Sequence, residues 1–307
     1  MLNTENELDA LFGLSEKQKM NNTNLQIRTL SETSVETIHE AFIDAFSEYE
    51  VPIDMPLEKL QEMMITRDLN PDFSVGYFDG EKLAGFILTG NRETGGVKTC
   101  YDGGTGVIKA HQRKGIGEMM LKELLLLLKE KIVSRFVLEV LENNTPAIKL
   151  YEKHGFTKTR KLNCFEIEKK KLRPVPDRGF GITVTNPATL IQNEELYRLY
   201  PPTWQNEIQS VLNVSENFTC ISLSCTSKIL GYGFIHKTKG DIPQIGILEE
   251  WKNWGLEAHL MAELARYTTS EKIIVLNVEA DNYLGETLLK LGFRNSVNQW
   301  EMVLEMG

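Results

Sequence analysis

The sequence is short of basic charge, of cysteine and of long apolar runs, and each shortage removes a class of function. Lysine and arginine number 34 against 43 aspartates and glutamates, for a formal net charge of −9. No basic excess is available to neutralise phosphates, which argues against a nucleic-acid partner. The local basic cluster Lys169, Lys170, Lys171 and Arg173 reads as a solvated linker. The four cysteines, Cys100, Cys164, Cys220 and Cys225, have no paired metal-ligand spacing. They imply no metal site and read as reduced thiols of a cytoplasmic protein. The densest leucine run, Leu124–Leu128, is flanked by Lys122, Glu123, Lys129 and Glu130. A membrane span needs roughly 20 apolar residues, so this run is expected to be a buried helix face. Met1–Asn24 is polar and acidic and lacks the apolar segment of a signal peptide.

What is present fits a globular chain with a real core. Of 307 residues, 41% are hydrophobic and 25% charged, enough for two domains of ordinary size. From Leu25 the pattern predicts a short strand, then a helix to about Phe46 with Thr33 and Glu36 as a capping box. A second helix is expected over Pro56–Arg67. Strands follow at Phe73–Phe78, Leu83–Thr89 and Val97–Ile108, the first two joined by Asp79-Gly80. A long helix is expected at Gly115–Lys131, a buried strand at Phe136–Leu141, a helix at Thr145–His154 closed by Gly155, and a strand near Asn163–Ile167.

After a Pro- and Gly-marked linker the order returns. Ala84-Gly85-Phe86-Ile87 is echoed by Tyr232-Gly233-Phe234-Ile235, and Gly115 by Gly255. Leu138-Glu139-Val140 is echoed by Leu276-Asn277-Val278, and Gly155-Phe156 by Gly292-Phe293. The expected organisation is a polar leader at 1–24, a first α/β (α+β) domain at 25–170, a linker at 171–180 and a second copy at 181–307. Each copy would be a mixed central sheet flanked by helices.

Two segments carry chemistry. Gln112-Arg113-Lys114-Gly115-Ile116-Gly117 lies between a strand and a helix. A helix start leaves about four N–H groups unpaired and carries partial positive charge, and glycines let a ligand approach the backbone closely. The turn could therefore cradle a pyrophosphate; the hexapeptide alone fits an ordinary glycine turn equally well. It is not a nucleoside-triphosphate loop, since no Gly-Lys-Ser/Thr is present. Met120 stands where a dinucleotide fingerprint needs a third small residue. The second segment runs from Asn144 through Tyr151 to Gly155-Phe156. Asn144 and Tyr151 lie seven residues apart, about two helical turns, and share a face. The phenol could protonate a departing thiolate, although Tyr151 taken alone also fits a half-buried core tyrosine.

Together, Gln112-x-x-Gly115-x-Gly117, Leu138-Glu139-Val140 and Asn144-x-x-Ala147-x-x-Leu150-Tyr151-x-x-x-Gly155-Phe156 resemble the GNAT N-acetyltransferase superfamily over residues 25–170. The resemblance implies transfer of an acetyl group from acetyl-CoA to a primary amine, on a small molecule or peptide, by direct attack. It implies that Val107, Ile108 and Lys109 pair with pantetheine and that Arg113, Lys114, Gly115, Ile116, Gly117 and Glu118 bind pyrophosphate beside Gln112. Asn144 would contact the cofactor and Tyr151 would act as general acid. Lys109 departs from the family's frequent proline. Asp102, Glu139, Glu48 and Glu50 are the candidates for the base, with Asp102 placed on the strand that feeds the site. In the second copy Lys252, Asn253, Glu257 and Leu288 replace Gln112, Arg113, Gly117 and Tyr151, while Asn282 stays near the Asn144 position. That copy is expected to have lost CoA binding and to brace the first domain, shape the acceptor pocket or form a homodimer contact. A non-catalytic acyl-CoA-binding or regulatory module is the competing function.

Overall fold

The computed structural model describes residues 25–47, 55–176, 178–187, 195–252 and 254–307. The leader at 1–24, Glu48, Glu50 and Asn253 lie outside the described residues. The first half runs β1 (Leu25–Thr29), α1 (Val35–Ala45), α2 (Leu57–Thr66), β2 (Val75–Asp79), β3 (Lys82–Thr94), β4 (Val97–Val107), α3 (Ile116–Glu130), β5 (Arg135–Leu141), α4 (Thr145–Lys153) and β6 (Thr157–Glu168). The second runs β7 (Gly181–Thr185), α5 (Ile208–Leu212), β8 (Phe218–Cys225), β9 (Lys228–His236), β10 (Ile245–Ile247), α6 (Leu256–Leu264), β11 (Lys272–Glu279), α7 (Tyr283–Leu291) and β12 (Arg294–Glu305).

Local chemistry explains most boundaries. The cap of α1 is Ser34, whose side chain accepts from Thr37 N at 3.2 Å, and not Thr33. Thr33 N is turned back onto Leu30 O at 2.8 Å, which leaves the next hydroxyl to cap the helix. The apolar stripe of α3, Ile116, Met120, Leu121, Leu124 and Leu128, is buried, as its helical spacing demands. Asn144 caps α4 by accepting from Ala147 N at 3.3 Å. Gly155 follows that helix with φ +89°, the left-handed conformation that favours glycine.

Eight strands form one mixed sheet in the order β1-β2-β3-β4-β5-β12-β6-β11, and a second sheet runs β10-β9-β8-β7. The last strands of the two halves are exchanged: β12 inserts beside β5, and β6 pairs with β11. β6 and β12 also pair with each other over most of their length. The cores follow the exchange. Met302 of β12 is buried with the apolar residues of the first half, and Phe165 and Ile167 of β6 with those of the second.

The hydrogen bonds at the two strand ends match the halves in a register different from the sequence reading. Ile108 N donates to Ala84 O and Leu248 N to Leu230 O. A Cβ on Gly85 would meet Met120, and one on Gly231 would meet Leu260. Gly85 therefore corresponds to Gly231, two residues before Gly233. Strand alternation has a period of two, so a Gly-x-Gly pair offers two in-phase matches that the pattern cannot separate.

Candidate active site

β4 and β5 are parallel neighbours for only four residues each, Thr99–Asp102 against Arg135–Leu138. Beyond Asp102 and Leu138 no ladder pair joins them, and a cleft opens between Gly103–Val107 and Glu139–Leu141. On its other edge β4 stays paired with β3 as far as Val107. Because Ile108 N bonds to Ala84 O at 2.9 Å, ladder alternation turns the N–H and C=O of Val107 toward the cleft.

The chain then passes through a 3-10 turn, Lys109–His111, into the α3 start. Arg113 (φ 60°) and Gly115 (φ 77°) are both left-handed. For arginine that conformation costs on the order of 1–2 kcal/mol, strain of the kind that gathers at ligand-binding turns. No side chain caps α3, so the N–H groups of its first turn are available to an anion. A Cβ on Gly115 or Gly117 would meet nothing within 4 Å, which marks an open seat.

The side chains around the turn have distinct tasks. Gln112 Nε2 donates to Val107 O at 3.0 Å and Ala45 O at 3.4 Å, so its amide pins the turn to the strand end. Lys109 N donates to Asp44 Oδ1 at 2.9 Å. Arg113 and Lys114 are exposed. The Glu118 carboxylate is drawn to Lys153 at 2.7 Å and Lys122 at 3.1 Å, whose hydrogen bonds hold its pKa down at about 2. The Glu118 side chain thus pairs with α4 and its own helix, not with an anion at the turn.

At the fork of the cleft the structure joins two residues that lie 49 positions apart in sequence. Tyr151 OH donates to Asp102 Oδ2 at 3.0 Å. Asp102 also accepts from Thr105 Oγ1 at 2.8 Å and from Gly104 N at 3.0 Å. Burial raises the Asp102 pKa, against the pull of Thr105, Tyr151 and Gly104. Tyr151 is buried and packs edge-on against Phe156, with centroids 5.4 Å apart.

Glu139, one step along β5 from the fork, has a different environment. Its Oε2 accepts from Tyr101 OH at 2.5 Å, while its buried Oε1 has no partner. Burial is the largest influence on this carboxyl, opposed by the Tyr101 hydrogen bond, the positive charge of Arg67 and the nearby Thr203 hydroxyl, and its pKa lies at about 7. A half-satisfied buried carboxylate next to an open cleft has the character of a proton acceptor near neutrality.

The second half supplies a wall, through residues that the sequence reading did not name. Trp204 stacks on Tyr101, with ring centroids 5.4 Å apart and planes at 9°. Its Nε1 donates to Arg67 O at 2.9 Å. The Arg92 guanidinium lies over the Trp204 ring, 4.2 Å from its centroid, and bridges Asp68 and Glu207, both at 2.7 Å. Arg67 reaches Gly103 O at 3.0 Å and Gln205 Oε1 at 2.9 Å. Such long-range contacts leave no periodic trace; a tryptophan in a polar stretch was the only available hint.

The second half repeats the α3 turn in altered form. Gly255 has φ 76° before α6, matching Gly115. Glu257, in the first turn of α6, is 1% exposed and accepts from Tyr283 OH at 2.8 Å. Leu288, at the Tyr151 position, is buried and offers no hydroxyl. Lys252 is paired with Glu249.

Residues 35–156 match the acetyltransferase (GNAT) family. No curated protein matches the chain in sequence. Among solved structures, a GCN5-related N-acetyltransferase from Sphaerobacter thermophilus is similar at 15% identity and a TM-score of 0.69, over 92% of this chain and 96% of that one. A tandem GNAT protein from the clavulanic acid biosynthesis pathway gives 14% identity and 0.67, over 92% and 99%. A GCN5-related N-acetyltransferase from Anabaena variabilis gives 12% and 0.56, over 92% and 73%. At these identities the likeness is one of fold. Among the described residues no helix is long and apolar enough to cross a membrane.

Proposed function

We propose that the chain moves an acetyl group from acetyl-CoA to a primary amine, using one site in its first half. The observation that carries this reading is the Tyr151–Asp102 pair at the fork where β4 and β5 part. The uncapped α3 turn lies at the far end of the same strand. In this reading the Arg113–Glu118 amides hold the pyrophosphate, with the Arg113 and Lys114 charges beside it. The pantetheine arm lies along Val107, past Asn144; the Ile108 and Lys109 amides are already bonded to Ala84 O and Asp44 Oδ1 and do not pair with it. Val107 O still has a lone pair for the arm, because a carbonyl can accept twice.

The chemistry then follows from the fork. A base takes a proton from the ammonium acceptor, and the free amine attacks the thioester carbonyl carbon. The tetrahedral intermediate sheds its second N–H proton and collapses, the C–S bond breaks, and Tyr151 gives its proton to the departing thiolate and is reprotonated from solvent, so that one proton is released overall. Asp102 is already satisfied by three donors, so it suits the positioning of Tyr151 better than proton removal. Glu139, with its open oxygen and a pKa near 7, is the better base.

The second half is, in this reading, a tandem copy of the same fold whose phosphate seat is taken by Glu257. The acceptor is a small-molecule or peptide amine, met in the cytoplasm with neither nucleic acid nor membrane involved. A free-thiol assay with acetyl-CoA and a broad amine panel tests the proposal. Thiol release that depends on an amine supports it. Binding of acetyl-CoA without transfer to any amine selects a non-catalytic binding module, and absence of binding removes both.

A further inference from the structure

We propose that the cleft between β10 and β11 is a peptide-binding groove whose ligand is the chain's own segment 197–203. β10 and β11 lie in different sheets, and the chain leading into β10 meets β11 at the isolated parallel bridge Asp241–Ile274. Into that gap the chain feeds a bent stretch of itself that touches the β10 edge at one point. Ile247 N donates to Tyr197 O at 2.7 Å, and Arg198 forms an isolated antiparallel bridge to Gly246. Backbone pairing at a strand edge is a general mode of peptide recognition.

Both banks of the cleft hold the segment. From the α7 cap, Asn282 Nδ2 donates to Leu199 O at 3.0 Å. From β11, Asn277 Nδ2 donates to Thr203 Oγ1 at 3.0 Å. Arg160 of β6 reaches Pro201 O at 2.5 Å. The segment is then anchored where it leaves, because Asn206 Nδ2 donates to Leu276 O and Gln244 Nε2 to Asn206 O. Asn277 is fully buried and Thr203 is 1% exposed. A Cβ on Gly246 would meet the Tyr232 ring first, at 2.5 Å, and then Tyr197 Cβ at 2.8 Å and Tyr197 O at 3.0 Å.

The seat is the one the first half keeps for the cofactor arm, a comparison that rests on the proposed function. Ile247 corresponds to Val107, and Asn282 to Asn144. Peptide carbonyls here receive the donors that the pantetheine amides would receive there, and the Glu257 carboxylate stands in the phosphate position. The seated segment runs on directly into Trp204, which stacks on Tyr101. The groove thus fixes the wall that the second half contributes to the first half's site.

Asn282→Asp isolates the contact. Its Oδ1 keeps the cap on Leu284 N, while the donor to Leu199 O becomes a carboxylate oxygen. In the full chain, the Ile247 amide should exchange with solvent at least about tenfold faster in this variant, with the α7 amides unchanged. Gly246→Ala should act in the same direction. Ile247 exchange as slow as wild type in both variants overturns the proposal. Calorimetric titration of wild type with acetyl-CoA gives a second arm: one equivalent per chain agrees with a filled groove, and two overturn it. No binding at all contradicts the proposed acyl transfer, and the exchange result still decides the groove.

Discussion

Glu139 is a carboxylate that folding leaves half satisfied, and its energetics fix the sign of a testable effect. Its folded pKa, about 7, lies above the ordinary 4.5. The folded state therefore binds more protons than the unfolded state between those values, and stability falls as pH rises through that window. A shift of this size corresponds to roughly 3 kcal/mol at alkaline pH. Glu139→Gln should melt higher than wild type at pH 8, with the gap closing toward pH 5. Equal gaps at both pH values would mean that ionisation is not the cost. If Glu139 is also the base, kcat/KM of wild type should rise with pH around 7 and the variant should lose that limb. Tyr151 gives the complementary result: Tyr151→Phe should lower turnover about 10²- to 10³-fold while the Kd for acetyl-CoA stays within about threefold. An unchanged rate would remove Tyr151 from the acid role. Tyr151 was legible as a candidate from its place two turns beyond Asn144. Asp102 was legible as a candidate base, but its contact with Tyr151 was not, because contact across 49 residues depends on how far β4 runs before it leaves β5.

The α3 and α6 turns share a backbone start and differ in the residues that follow it. Both begin at a left-handed glycine, yet one ends in the open space around Gly117 and the other in buried Glu257. The Gly117-to-Glu257 difference was visible in the sequence, where a side chain with negative charge stands at the position of a glycine. Gly117→Glu should reproduce it, weakening acetyl-CoA binding at least about 100-fold with little loss of stability, because the added Cβ meets open space. Near-normal affinity in calorimetry would displace the phosphate from this turn. Other features of the elements were less legible. The α1 cap fell one residue later than expected because a turn consumed Thr33, and the β9 repeat was offset by two because alternation cannot tell Gly231 from Gly233.

At the scale of the molecule, the two halves are tied by exchanged strands and by a wall of one laid on the other. The 171–180 linker separates them along the chain, but the sheet does not divide there, since β12 lies between β5 and β6. Sequence pattern could not show this. β6 and β12 carry similar strand signals, and which edge each one fills is a property of tertiary packing, not of local alternation. A chain ending at residue 293 should fail to show a cooperative melting transition, because β5 and β6 would each lose a partner and the first core would lose Met302. Trp204→Ala should cost about 3–5 kcal/mol, seen as a fall in Tm. It would weaken both halves, since Trp204 joins Tyr101 and Arg92 of the first half to the segment held by the second.

Amide hydrogen exchange with and without saturating acetyl-CoA tests the central claim most directly. The expected result is that acetyl-CoA slows exchange of the amides at 113–118 and leaves the first turn of α6 unchanged. Unaltered exchange at 113–118, or protection confined to the α6 turn, would contradict it.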